Sequence, residues 1–316
     1  MNRLTLERNQ IWIYLSAIIA GLWLGDRWPA LAQGFGLSLW PVLVILLYAT
    51  FVQIPLLHLR AAFRNHRFAA AMLIGNFVAL PVLVWALVQW LPIDPVLRLG
   101  VLLVLLVPCT DWFITFTQLG GGNVALATAT TPLNLLMQLL LLPLYLWLYL
   151  GGEHAVPLGI HESWPALLVV VVPLIAAAVT ERWIRSAPQH ETLREQLAWL
   201  PVPLLALVVF LIAGAQASVV REALGLIPDI VPVFVAFALT SALLAKALAC
   251  AMQLPADQGR TLAFSMGTRN SFVVLPFALA LPAGWEVAAV VIVVQSLVEL
   301  VAMVFYLWWV PRRLFR

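Results

Sequence analysis

Charged side chains are scarce in this sequence, and their scarcity decides the class of protein. Only 10% of the 316 residues are charged, while 64% are hydrophobic. Soluble domains carry about 25% charged residues, so a chain of this composition could not cover its apolar surface in water. The sequence therefore predicts an all-α protein embedded in lipid, in which helices satisfy their own main-chain hydrogen bonds.

Cysteines are few, and the common motifs of enzymes are absent. The two cysteines, Cys109 and Cys250, lie in apolar stretches without the paired spacing of a metal site. There is no Gly-rich phosphate loop, no histidine pair with metal-ligand spacing and no G-x-S-x-G motif. We therefore expect no enzyme activity, no cofactor, no resident metal ion and no nucleic-acid partner.

Apolar segments occupy almost the whole chain. Ten of them can approach or exceed the ~20 residues that span a bilayer. We number these transmembrane segments 1 to 10 in chain order: 10–28, 37–58, 66–92, 96–118, 123–150, 163–184, 198–220, 229–253, 260–281 and 285–310. The short connections leave no room for a separate soluble domain.

The arginines predict the orientation. With the N-terminus in the cytoplasm, twelve arginines fall in cytoplasmic pieces and three on the opposite side, namely Arg27, Arg98 and Arg221. An excess of positive charge marks the cytoplasmic side of a membrane protein. We expect a multi-pass protein of the bacterial inner membrane with both termini in the cytoplasm.

Ten segments divide into two sets of five, and an odd number of crossings inverts the second set relative to the first. An offset of 161 positions supports this pair of inverted five-helix repeats. It aligns four pairs of similar or chemically active residues: Cys109 with Asn270, Asn134 with Gln295, Gln138 with Glu299, and Tyr145 with Tyr306.

Four ionisable residues lie inside the segments: Asp111, Lys246, Arg269 and Glu299. Each costs about 2.5–3.5 kcal/mol to insert, and such groups usually have a function. The alternative is a set of salt bridges that only fix helix register. Asp111 and Arg269 occupy similar places in the two halves, so we predict that they lie near each other. Lys246 lies toward the cytoplasmic end of segment 8, where its side chain can reach the interface.

Segments 4 and 9 combine helix-breaking residues with polar ones. Segment 4 reads Pro-Cys-Thr-Asp at 108–111, and segment 9 reads Gly-Thr-Arg-Asn-Ser at 267–271. A proline inside a helix frees main-chain groups, which protein, water or a ligand must then satisfy. These runs supply the predicted substrate-binding residues: Cys109, Thr110, Asp111, Arg269, Asn270 and Ser271.

Segments 5 and 10 carry further polar residues in apolar surroundings. Apolar surroundings disfavour the charged form of a carboxyl such as Glu299, which suits a proton carrier. The alternative is a permanently protonated carboxyl that only bonds helices together. We assign the coupling ion or proton to four residues on shared helix faces: Glu299, Gln295, Asn134 and Gln138. Thr131 and, in segment 3, Asn76 are predicted to support them.

Several of these motifs resemble the bile acid:sodium symporter superfamily over nearly the whole chain. They are the ten short-looped segments, the Asn-Phe-x-x-x-Pro run at 76–81, the Pro-Cys-Thr run at 108–110 and the Gly-x-x-Asn-Ser run at 267–271. Two features are most similar to its arsenical-resistance (arsenite efflux) branch. One is Cys109 directly after Pro108, and the other is Glu299 within Leu-Val-Glu-Leu.

The resemblance implies two domains with different roles. A core transport domain of segments 3–5 and 8–10 (63–155 and 223–316) would move against a panel domain of segments 1, 2, 6 and 7 (1–62 and 156–222). Segments 4 and 9 would be broken and would cross in the core. The resemblance also implies that Cys109 binds arsenic(III) as a soft thiolate and that Glu299 is the proton-linked acid.

The sequence departs from the sodium-coupled branch at two places. That branch usually has an acidic residue before the glycine of segment 9, where this chain has Ser265 and Met266. A glutamine common in that branch corresponds to Arg269, and a fixed cation would repel sodium. Asp111 beside Cys109 is also not expected in arsenite exporters. These departures favour proton coupling, or an anionic substrate held by Arg269.

The leading hypothesis is therefore a secondary active transporter that exports arsenite or a related metalloid oxyanion, linked to protons, by alternating access. The alternative is sodium- or proton-coupled transport of a small organic anion whose carboxylate Arg269 binds. A membrane sensor or binding protein without flux is a third possibility from a different class. The absence of a soluble output domain counts against it.

Overall fold

The computed structural model describes residues 9–55, 63–150, 160–187 and 190–316. These ranges form fourteen α-helices: α1 (Gln10–Arg27), α2 (Ala32–Phe51), α3 (His66–Val88), α4 (Pro95–Leu105), α5 (Trp112–Leu119), α6 (Val124–Leu150), α7 (Ile160–Ile184), α8 (Glu191–Leu197), α9 (Pro201–Ala215), α10 (Ala217–Ala223), α11 (Ile227–Ala251), α12 (Ala256–Gly267), α13 (Ser271–Leu279) and α14 (Val287–Trp309).

Seven helical stretches among the described residues are long and apolar enough to cross a membrane, compared with the ten segments expected from the sequence. These stretches are Pro29–Phe51, His66–Val88, Val124–Leu148, Leu167–Ile184, Glu191–Ala215, Ile227–Ala251 and Val287–Leu314. Segment 1 forms α1, which spans only 18 residues and has Asp26 and Arg27 at its end. Segments 4 and 9 fall below the length because each is divided into two shorter helices. The arrangement of ten segments in inverted repeats stays a prediction.

The chain forms two compact units. One comprises Met1–Gln53, Pro157–Ile227 and Leu275–Val293, and the other comprises Ile54–Val156, Pro228–Val274 and Val294–Arg316. The second unit contains both breaks, the first at 106–111 between α4 and α5 and the second at 268–270 between α12 and α13. It also contains every polar residue singled out in segments 3, 4, 5, 9 and 10. We call it the polar unit. The functional division into a moving core and a panel stays a prediction.

In the other unit, glycines bring α1 and α9 close together. A Cβ atom added to Gly21 would lie 2.3 Å from the carbonyl oxygen of Phe210, and one added to Gly25 would lie 2.3 Å from that of Gly214. Glycines four residues apart let two membrane helices approach with main chain against main chain. The Gly-x-x-x-Gly spacing in α1 therefore determines how these two helices pack.

Replacing Gly25 with alanine should destabilise the protein. The added methyl group overlaps the main chain of Gly214, which cannot move as a side chain can, so we expect a loss of about 1–3 kcal/mol in unfolding free energy. Gly36→Ala in α2 is the matched control, because a Cβ atom added at Gly36 would have nothing within 4 Å. Thermal unfolding in detergent measures both variants. A Gly25→Ala protein as stable as Gly36→Ala would contradict the close packing.

The middle of α3 contains a π-turn that the sequence analysis did not anticipate. Gly75–Ala79 forms this wider turn between two α-helical halves. Such turns occur often at functional sites because they leave main-chain groups available for other partners. Here the hydroxyl of Tyr145 donates to the carbonyl oxygen of Phe77 at 2.5 Å. The turn also contains Asn76, which is fully buried.

Candidate functional site

The two divided segments meet at their breaks. The Cys109 N–H donates to the carbonyl oxygen of Thr268 at 3.2 Å, and the Asn270 N–H donates to that of Val107 at 2.8 Å. Pro108 and Arg269 face each other as an antiparallel bridge. Each break therefore satisfies main-chain groups that the other leaves outside a helix, which lipid could not do.

Side chains strengthen this crossing. The amide nitrogen of Asn270 donates to the hydroxyl oxygen of Thr110 at 2.9 Å, and both residues are buried. The amide oxygen of Asn270 accepts from the Val273 N–H at 3.3 Å, in the first turn of α13. Asn270 thus links the two breaks and satisfies one of the unpaired N–H groups at the start of a helix.

Cys109 and Asp111 form a bonded pair beside the crossing. The buried thiol donates to a carboxyl oxygen of Asp111 at 3.2 Å, and the same oxygen accepts from the Trp112 N–H at 2.7 Å. Asp111 is the residue immediately before α5, where the helix N-terminus favours negative charge. Cys109 also packs in an apolar cluster with Phe113 and with Ala127 of α6.

Arg269 is buried, and its guanidinium group bonds to oxygens of α3, α4 and α12. Nη1 donates to the Leu105 carbonyl at 3.3 Å. Nη2 donates to the amide oxygen of Asn76 at 2.9 Å and to two carbonyl oxygens, those of Ser265 at 3.1 Å and Met266 at 2.9 Å. The guanidinium group therefore donates to neutral oxygens. Asp111, which was predicted to lie near Arg269, accepts the hydrogen bond of the Cys109 thiol.

Glu299 of α14 is held against the second break. One carboxyl oxygen accepts both the Arg269 N–H and the side-chain amide of Gln295, each at 2.8 Å. The Gln295 oxygen in turn accepts from the Ser271 hydroxyl at 3.2 Å. Glu299, Gln295 and Ser271, predicted from the sequence to act in the site, therefore form one chain of hydrogen bonds. Ser296, which was not among the predicted residues, donates its hydroxyl to that of Ser271 at 2.7 Å.

The side-chain amides of Asn134 and Gln138 in α6 are buried and have no hydrogen-bond partner in the part of the chain that the structure describes. Their side chains are 0% and 1% exposed, and none of their four polar atoms has a hydrogen-bond partner among the described residues. Buried amides are nearly always bonded, and an exception calls for a physical explanation. Their neighbour Thr131 behaves differently, because its hydroxyl donates to the Ala127 carbonyl at 2.9 Å within the same helix.

Proline explains part of this contrast. With the offset of 161, Gln138 corresponds to Glu299, and Pro108 corresponds to Arg269. The Arg269 N–H donates to Glu299, but a proline has no N–H to donate to Gln138. The first half of the chain therefore lacks the main-chain donor that holds the acidic residue in the second half.

Other contacts in the polar unit repeat with the same offset. The Asn270 N–H donates to Val107, and the Cys109 N–H donates to Thr268. With the offset of 161, Cys109 corresponds to Asn270 and Val107 corresponds to Thr268, so the two bonds are equivalent. The hydroxyl of Tyr306 donates to the Ala238 carbonyl, as that of Tyr145 does to the Phe77 carbonyl. The repeated contacts are therefore the two main-chain bonds at the crossing and the tyrosine bonds between α6 and α3 and between α14 and α11.

Asn76 and Lys246 have different surroundings. The amide nitrogen of Asn76 donates to the Ser265 hydroxyl at 3.1 Å, so Asn76 belongs to the Arg269 group. Ser265 precedes the predicted run at 267–271, and only its polarity in an apolar segment could have identified it from sequence. The Lys246 ammonium lies 4.7 Å from the centre of the Phe315 ring, near the C-terminus. The four intramembrane charges therefore do not form a single cluster of two ion pairs.

Sequence comparison with known proteins identifies a family. The sequence model of the sodium bile acid symporter family matches residues 40–223, which is more than half of the chain. The "Uncharacterized protein PA2026" of Pseudomonas aeruginosa is 35% identical over 112 residues, and the "Putative symporter YfeH" of Escherichia coli K12 is 28% identical over 113 residues. The matched stretches cover 34% and 35% of this chain, respectively, and 34% of each relative.

The family match runs from Trp40 within α2 to the end of α10 and includes the first break with Cys109. Among the residues that the structure describes, seven helical stretches are long and apolar enough to cross a membrane. The chain is therefore a multi-span membrane protein that belongs to the sodium bile acid symporter family.

Proposed function

We propose that this protein is a secondary active transporter that exports arsenite, or a related metalloid oxyanion, in exchange for protons. The crossing of two divided helices carries this proposal. Transporters built on divided helices bind substrate and coupling ions where helix ends and unwound main chain meet inside the membrane. Here that place holds a thiol, two carboxyl groups and several amides, all in the polar unit.

Cys109 is the proposed ligand for arsenic(III), which is a soft centre that prefers sulfur. In neutral aqueous solution arsenite is arsenous acid, with three hydroxyl groups on arsenic. An As–S bond forms as one As–OH bond breaks, and the thiol proton leaves with that hydroxyl as water. Asp111 already accepts the thiol hydrogen bond at 3.2 Å, so its carboxylate can take the proton and pass it to the leaving hydroxyl.

Asn134 and Gln138 are the proposed partners for the remaining hydroxyl groups or for an associated water. Their amides offer both donors and acceptors that have no partner among the described residues. Cys109 packs against Ala127, and Asn134 lies seven residues further along the same face of α6, about 10 Å along the helix axis.

Glu299 is the proposed proton carrier. It is 5% exposed, and its carboxyl oxygen is anchored to the break through the Arg269 N–H. Protonation would weaken that bond, because an ionised acceptor makes the stronger hydrogen bond. A change in the charge of Glu299 would thereby act directly on the main chain of the crossing. Exchange of substrate for protons requires such a link, because proton binding must change the conformation of the substrate site.

The proposed direction of transport assumes the orientation predicted from the arginines, with both termini in the cytoplasm. The predicted core domain (63–155 and 223–316) would move against the predicted panel domain (1–62 and 156–222) by alternating access. Substrate would bind from the cytoplasm, and protons would enter from the opposite side of a bacterial inner membrane.

Replacing Cys109 with serine should abolish arsenite transport, because a hydroxyl binds arsenic(III) far less tightly than a thiolate. We would measure arsenite accumulation in everted membrane vesicles under an imposed proton gradient. Cys250→Ser is the matched control, because Cys250 is the other cysteine and is exposed. We expect accumulation with the wild type and Cys250→Ser and none with Cys109→Ser.

No accumulation by folded wild-type protein would contradict the arsenite proposal, and small carboxylates would then be the substrates to screen. Accumulation by Cys109→Ser at the wild-type rate would remove the thiol from the mechanism. Binding of arsenite to purified protein without flux in proteoliposomes would indicate a sensor rather than a transporter.

A further inference from the structure

The guanidinium group of Arg269 lies at the carboxyl ends of two helices. Helix α4 ends at Leu105 and α12 ends at Gly267. The last carbonyl groups of a helix have no partner within it and carry a partial negative charge. Arg269 donates to such carbonyls in both helices, those of Leu105, Ser265 and Met266.

A side-chain oxygen completes the group. The amide oxygen of Asn76 lies 2.9 Å from Nη2 of Arg269. The amide nitrogen of Asn76 is held by the Ser265 hydroxyl and by the Met72 carbonyl at 3.3 Å, which directs the oxygen toward the guanidinium. Four neutral oxygens from α3, α4 and α12 therefore surround one positive charge, and the Phe237 ring lies 5.3 Å from the guanidinium carbon.

These oxygens are of the kind that bind a small hard cation. Unwound carbonyls and the carboxyl ends of half-helices coordinate Na⁺ in transporters with divided helices. Leu105 and Met266 are also related by the offset of 161, so the charge joins equivalent positions of the two halves. A cation at this place neutralises both helix ends and holds the two breaks together.

We propose that Arg269 is a tethered cation that permanently occupies a sodium-type site, so that the protein works independently of Na⁺. The proposal rests on the transporter function above, whatever its substrate. A dissolved ion can leave this site in each cycle, but a guanidinium attached to the main chain cannot. Energy coupling must then come from another group, and Glu299, bonded to the same residue's N–H, is the one the structure places there.

The same geometry assigns Arg269 a role different from carboxylate binding. Its two Nη atoms already donate to four protein oxygens, and only the buried Nε has no partner among the described residues. A bidentate bond to a substrate anion would therefore require an Nη atom to give up protein oxygens. Arg269 is therefore a positioning residue that holds the crossing closed.

The test is thermal unfolding of purified protein in detergent, in sodium chloride and in choline chloride of equal concentration. Wild type should unfold at the same temperature in both salts. Arg269→Ala removes the tethered charge and opens the oxygens to solution, so we expect a lower melting temperature that sodium raises by several degrees in a saturable way. A few millimolar guanidinium chloride should raise it too, by replacing the missing group.

Arg98→Gln is the matched control, because Arg98 also donates to two carbonyl oxygens, those of Leu91 and Pro92, but is only partly buried. It should respond to neither ion. Wild type stabilised by sodium over choline would overturn the proposal, and so would a folded Arg269→Ala protein that ignores sodium and guanidinium. If Arg269→Ala does not fold, Arg269→Gln replaces it. If neither folds, the wild-type comparison alone decides, with sodium indifference supporting the proposal and sodium stabilisation contradicting it.

This experiment uses no arsenite. Failure of arsenite flux would therefore leave its result intact, and failure of the sodium response would leave the metalloid proposal to its own test.

Discussion

Replacing Asn134 with leucine and Gln138 with methionine should abolish transport while making the folded protein more stable. Both amides are buried and their four polar atoms have no partner among the described residues. An unsatisfied buried polar group costs about 1–3 kcal/mol, and apolar side chains of similar size remove that cost without leaving a cavity. We expect the unfolding free energy to rise by about 1–3 kcal/mol in the double variant.

Transport should fall to background in the same variant, because the amides would no longer be available to the substrate or its water. A residue retained at a cost in stability is usually retained for function. We would measure thermal unfolding and arsenite flux on the same preparations. Gln89→Met is the matched control, because Gln89 is an exposed amide that bonds only within its own helix, to the Trp85 carbonyl.

The control should leave both stability and flux near wild type. A double variant that is less stable than wild type would show that the amides have partners in the membrane that stabilise the fold. A variant that is more stable but transports normally would remove Asn134 and Gln138 from the substrate path.

Two replacements of Glu299 should distinguish its role in proton coupling from its role in folding. Glu299→Gln keeps an oxygen for the Arg269 N–H, so we expect a folded protein that cannot carry a proton. Glu299→Leu removes the acceptor of both the Arg269 N–H and the Gln295 amide. Each buried donor left without a partner costs about 1–3 kcal/mol, so this variant should be markedly less stable as well as inactive.

Two transport assays distinguish the roles. Glu299→Gln should lose accumulation driven by a proton gradient but retain exchange of labelled for unlabelled arsenite across vesicles without a gradient. Glu286→Gln is the control, because Glu286 is an acidic residue that accepts the Gly284 N–H at an exposed position. Proton-driven accumulation by Glu299→Gln at the wild-type rate would exclude Glu299 as the proton carrier.

The interruptions of α4 and α12 could be predicted because their causes are local. A proline has no N–H, and Pro108 stands where α4 gives way to irregular main chain. Gly267 is the last residue of α12, and a Cβ there would lie 2.5 Å from the Tyr306 ring. The positions of the two polar runs beside these breaks could therefore be predicted from the sequence, whereas their role in binding stays a prediction.

The partners of those residues could not be predicted in the same way. The π-turn of α3, the four oxygens around Arg269 and the lack of partners for Asn134 and Gln138 depend on residues far away in the chain. The prediction that Asp111 and Arg269 lie near each other placed the right segments together. It did not anticipate that Arg269 would bond to carbonyl groups instead of the carboxyl.

Composition and helix periodicity by themselves determined that this protein lies in a membrane, where most of its helices run and which polar residues share a helix face. They could do so because hydropathy and backbone breaks act within a few residues. Only the tertiary structure decided which groups share hydrogen bonds and which remain without them. The reason is physical: a buried polar group takes the nearest available partner in space, and the crossing of α4–α5 with α12–α13 brings those partners together.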